Sequence, residues 1–68
     1  MTAKELRSIV YSSPKPKSWR EGQFVFNMVD SLYGVARIAQ FEYMVDCFFR
    51  DDKIDEFLEV CAQILTKK

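Results

Sequence analysis

In the last third of the chain, Ile54, Phe57, Leu58, Cys61, Ile64 and Leu65 recur at steps of three and four residues, the spacing of one face of an α-helix. Asp51 and Asp52 stand ahead of the run as N-cap candidates. Asp55 and Glu56 put negative charge at the positive end of the helix dipole, and Lys67 and Lys68 put positive charge at the other end. The spacing predicts a helix over 52–66. Such a helix must bury its apolar face, so the rest of the sequence has to supply the surface that covers it.

A sheet is not available for this. The one alternating run, Phe41, Tyr43, Val45, Cys47 and Phe49 with Glu42, Met44, Asp46 and Phe48 between them, has no second alternating run to pair with. A lone strand leaves its backbone ladder unsatisfied. Residues 41–50 are therefore read as an aromatic-rich connection, extended or a short helical turn, laid on the core by its rings.

Helices are predicted elsewhere. Thr2 and Glu5 have capping-box spacing ahead of Leu6, Ile9 and Val10, which predicts a helix over 2–11. Ser12, Ser13, Pro14, Lys15, Pro16 and Lys17 break it, because proline lacks the N–H and pushes its neighbour toward extended geometry; 12–17 reads as a linker. Ser18 and Glu21 repeat the capping-box spacing and predict a helix over 18–33. It carries Trp19, Phe24, Val25, Phe26, Met28, Val29 and Leu32 nearly all round, the mark of a central element. Gly34 suits a left-handed cap, and a short helix is predicted near 35–40 with Val35, Ile38 and Ala39 inward. The expected fold is all-α: three main helices and a short fourth in a single domain.

Sixty-eight residues allow one core and no more, which excludes most enzymes. There is no histidine, so the commonest general base and the commonest metal ligand are both missing. Neither a 20-residue apolar span nor a signal-peptide pattern is present, and a cytoplasmic protein with reduced thiols is expected. Cys61 falls on the inward face of the last helix, as a core residue. Cys47 follows Asp46 in the connection and would be reactive only with positive charge nearby. The acids at Asp46, Asp51, Asp52, Asp55 and Glu56 lack the glycine and terminal glutamate of a calcium loop, so helix-start electrostatics explain them better than a metal. No catalytic residue, metal or cofactor is expected.

Charge is uneven along the chain. Residues 1–20 hold five cations against one acid, and residues 21–59 hold three cations against nine acids. The basic segment, with Lys15, Lys17 and Arg20 beside Trp19, offers a small footprint for phosphates, and nucleic-acid binding is the alternative reading. The leading one comes from apolar excess. A chain this short hides about 60% of its unfolded surface, so some of Phe24, Phe26, Phe41, Tyr43, Met44, Phe48 and Phe49 must stay near the outside. Exposed aromatic and methionine patches mark interfaces with another protein or a second copy.

The run Trp19-Arg20-Glu21-Gly22-Gln23-Phe24-Val25-Phe26-Asn27, followed by Tyr33-Gly34-Val35-Ala36-Arg37 and Val45-Asp46-Cys47-Phe48, resembles a family of short uncharacterised bacterial and phage proteins. These share a Trp-Arg-x-Gly-Gln-x-x-Phe-Asn core and an Asp-rich start to the final helix. The resemblance covers about 19–65 and implies a small cytoplasmic helical protein of phage or mobile-element origin, without an activity. In the motif, Trp19 would anchor the helix start, Arg20 would reach Asp46, Asp51 or Asp52, and Gly22 would let another helix approach. Gln23 and Asn27 share a face and would bond carbonyls of the 41–49 segment or form a polar binding patch. The candidate partner-binding residues are Trp19, Arg20, Gln23, Asn27, Tyr43 and Phe48.

Overall fold

The computed structural model describes residues 1–67, so Lys68 lies outside the described residues. Four α-helices follow one another, α1 (Ala3–Val10), α2 (Glu21–Tyr33), α3 (Ala36–Glu42) and α4 (Ile54–Lys67). A 3-10 turn over Asp51–Lys53 leads into α4. The described residues contain no strand. The all-α expectation holds, with a different division of lengths. α1 and α3 have eight and seven residues, against thirteen and fourteen for α2 and α4.

α1 starts as its sequence dictates. Thr2 Oγ1 accepts from the Glu5 N–H at 3.1 Å and Glu5 Oε1 accepts from the Thr2 N–H at 2.9 Å, closing a reciprocal capping box. Leu6 and Val10 are one turn apart and fully buried. α1 packs chiefly on α4, where Arg7 pairs with Asp55, so the basic segment and the acidic one meet in space at this point.

α2 begins three residues later than its spacing suggested. The Trp19 N–H donates to Pro16 O at 3.1 Å, and Lys15 Nζ donates to Trp19 O at 2.7 Å. This turn takes Ser18 out of the N-cap position. Arg20 holds it instead, extended at φ −72° and ψ 158°, without a side-chain cap of its own. Phe24, Val25, Phe26 and Val29 enter the core, whereas Leu32, expected in the same stripe, is exposed. Gly34 closes the helix in the left-handed region at φ 69°, as expected. α3 then runs to Glu42, two residues past the expected end, with Val35, Ala36 and Ala39 buried.

α4 buries Ile54, Phe57, Leu58, Cys61 and Ile64, the face that its spacing marked. Its first turn is displaced: Asp51 and Asp52 sit in the 3-10 turn ahead of the helix. Phe26 stacks on Phe57 with ring centroids 5.6 Å apart, joining the two longer helices at the centre. Truncating Phe57 would leave a cavity costing about 3–5 kcal/mol. No described helix is long and apolar enough to cross a membrane.

Candidate interaction surface

The connection between α3 and α4 is held at both ends by polar contacts. The Cys47 thiol donates to Gly22 O at 3.3 Å, and the Gly22 N–H donates to Asp51 Oδ1 at 2.9 Å. A Cβ on Gly22 would stand 2.0 Å from Cys47 O, so only glycine admits this approach. The neighbour that comes close is thus the connection and not another helix. Asp46 fixes the preceding stretch: Oδ2 accepts from Gln40 Nε2 at 2.7 Å and Oδ1 from the Phe48 N–H at 2.8 Å. Phe48 meets Phe26 edge-on at 5.6 Å, and Val45, Cys47 and Phe48 are the side chains that pack inward.

What remains outside is large and apolar. Phe41 is 72% exposed, Met44 84% and Phe49 67%, with Tyr43 exposed beside them. At roughly 200 Å² per large side chain, the first three together expose on the order of 400 Å² of side-chain surface. Met44 has φ 58°, and is the one non-glycine residue in that region among those described. The Tyr43 and Val45 N–H groups both donate to Ala39 O, at 3.2 and 3.1 Å, so Met44 stands where helices ordinarily end on glycine. A side chain there costs on the order of 1 kcal/mol. Next to it lies a depression of about 200 Å³ lined by Met44, Val45, Asp46, Arg50, Lys53 and Glu56.

The sequence-predicted residues are not gathered into one site. Trp19 is half-buried against the core. The Arg20 guanidinium lies over the Phe49 ring, 5.6 Å from its centre, and does not reach the carboxylates expected for it; Asp52 is paired with Arg50 and Asp51 serves Gly22. Gln23 and Asn27 are half-buried. Their amides make no side-chain hydrogen bond among the described residues, where no buried side-chain N or O atom lacks a partner, so both amides face water. Tyr43 is exposed, and Phe48 is half-buried between Phe26 and Phe49. Of the basic set, Lys15 is tied to the carbonyls of Trp19 and Pro16, and Lys17 is exposed.

Phe41, Met44 and Phe49 belong to the apolar excess that the sequence marks for the outside, though not to its six candidate partner-binding residues. Strand-like alternation puts Phe41 and Phe49 on the same side as Cys47, but residues 36–42 are helical and Met44 turns the chain, so the phase breaks. Both cysteines are free and fully buried, and burial pushes each thiol up to about 12. No group of three or more metal-ligating side chains occurs among the described residues. Compared with protein-family models, with curated proteins and with solved structures, the chain matches none.

Proposed function

We propose that this chain is a non-enzymatic helical module that binds another protein through Phe41, Tyr43, Met44 and Phe49. The observation that carries the reading is Met44: a strained backbone with an almost fully exposed apolar side chain. The left-handed turn ends α3, but the exposure of the Met44 side chain does nothing for the fold, and a contact surface gives it a use. The connection that bears Tyr43, Met44 and Phe49 is clamped to Gly22, so the surface is preorganised and little ordering cost accompanies binding. A cytoplasmic setting, implied by the resemblance of 19–65 to short phage and bacterial proteins, and a regulatory role that such an origin would fit belong to the same proposal.

The test is affinity capture from the source cells with the immobilised chain and with Phe41→Ser and Phe49→Ser variants. Both positions are exposed, so the variants should melt within a few degrees of the parent. Loss of a captured protein at unchanged stability is the expected result. Equal capture by parent and variants would remove the reading.

A further inference from the structure

We infer that the partner is an extended acidic peptide segment, which lies along the face of α2 that carries Gln23 and Asn27 and sets a carboxylate on the Arg20 guanidinium over Phe49. The inference rests on the interaction reading above, with which it shares Phe49, and states the chemistry of the partner.

The first argument is charge. Arg20 makes no ion pair among the described residues, where the carboxylates expected for it are engaged elsewhere: Asp51 with Gly22, Asp52 with Arg50, and Asp46 with Gln40 and the Phe48 N–H. Its guanidinium lies over the Phe49 ring, 5.6 Å from the centre. That contact holds the cation in place and leaves N–H donors free for a bidentate carboxylate.

The second argument is register. Arg20 at the N-cap and Gln23, Asn27 and Asp30 in the helix follow at steps of three, four and three residues, so they form one row along α2. Gln23 and Asn27 are half-buried, and their amides face water without a side-chain hydrogen bond among the described residues. At about 1.5 Å of rise per residue, the two amides stand about 6 Å apart along the axis. An extended chain presents the N–H and C=O of one edge at every second residue, about 6.7 Å apart. Each carboxamide both donates and accepts, so Gln23 and Asn27 match alternate residues of a strand laid parallel to the helix.

The third argument is the polarity of the row, which favours a peptide over a nucleic acid. The row begins at a cation and ends at Asp30, which stands 4.0 Å from Arg37. A phosphate backbone would carry a charge on every nucleotide past that carboxylate, whereas a peptide carries its acid at the Arg20 end alone.

A library of random short peptides displayed on phage and panned against the immobilised full chain tests this, with the selected sequences remade as synthetic peptides and titrated. The expected binders share an Asp or Glu at a fixed position. Arg20→Gln should weaken them about tenfold, and Gln23→Ala combined with Asn27→Ala should abolish binding. These side chains face water, so the variants should melt with the parent. A library that yields no binder, binders without a shared acid, or binders that keep their affinity for Arg20→Gln would overturn the inference. Arg20-dependent binding of a single-stranded oligonucleotide in their place, lost at high salt, would also overturn it. If the peptides fail while capture from cells still depends on Phe41 and Phe49, the interaction reading stands with a partner of other chemistry. If capture fails as well, both readings fall.

Discussion

Asp51 Oδ1 sits 2.9 Å from the backbone nitrogen of Gly22, 29 residues earlier in the chain. Arg20, at the N-cap of α2, supplies no side-chain acceptor, so the start of the central helix is completed from the turn that precedes α4. Asp51→Ala should therefore cost about 1–2 kcal/mol in chemical denaturation, a large loss for a surface-facing carboxylate. Asp51→Asn keeps an acceptor and should cost less. Adding Arg20→Ser to Asp51→Ala gives α2 a cap of its own and should recover part of the loss.

Gly22→Ala should be more damaging. Its Cβ would fall on a backbone carbonyl, which cannot rotate away as the end of a side chain would. Separating α2 from the connection should lower stability by about 3 kcal/mol, read as a shifted denaturation midpoint.

These two contacts also show where the sequence stopped being informative. Periodicity and caps are local, and the elements they govern are the ones the sequence revealed: the Thr2–Glu5 box, the Gly34 turn and the buried face of α4. Ser18 and Glu21 had the right spacing for a cap, but the Pro16–Trp19 turn claimed the backbone between them. The pairing of Gly22 with Asp51 and Cys47 depends on how the chain returns on itself, and no spacing rule records that. The exposed surface was harder still. Apolar excess says that some of Phe41, Tyr43, Met44, Phe48 and Phe49 stay outside, but which of them do depends on the left-handed turn at Met44, which nothing in a Glu-Tyr-Met-Val run announces.

Both cysteines should resist labelling in the folded protein. Desolvation raises each thiol to about 12, the negative charge of Asp46 adds to the effect at Cys47, and neither side chain is exposed. At about pH 8 a thiol reagent should react at least a thousandfold more slowly than in denaturant, because reaction waits for opening. Gly22→Ala should speed the native reaction at both positions. Rapid labelling of native Cys47 would contradict the burial described for it.

Acid should weaken the start of α1. The Thr2 N–H and hydroxyl hold the Glu5 carboxyl below the usual glutamate range. A depressed carboxyl adds stability above its unfolded value and loses it as pH falls through the folded one, a window that opens below about pH 4. Between about pH 5 and pH 3, Glu5→Gln should lose less melting temperature than the parent, since its amide oxygen still accepts from Thr2 without titrating. Equal losses would mean that the box contributes nothing to acid sensitivity.

The rings of Phe49, Phe48, Phe26 and Phe57 follow one another at centroid separations of 4.7, 5.6 and 5.6 Å. The first is open to water and the last is fully enclosed. Aromatic rings shift the magnetic resonances of whatever lies beside them, so a tilt of Phe49 beneath an arriving molecule would be felt at Phe48, 4.7 Å away. A single labelled probe at Phe48, half-buried behind Phe49, thereby becomes a sensor of occupancy on the outer face.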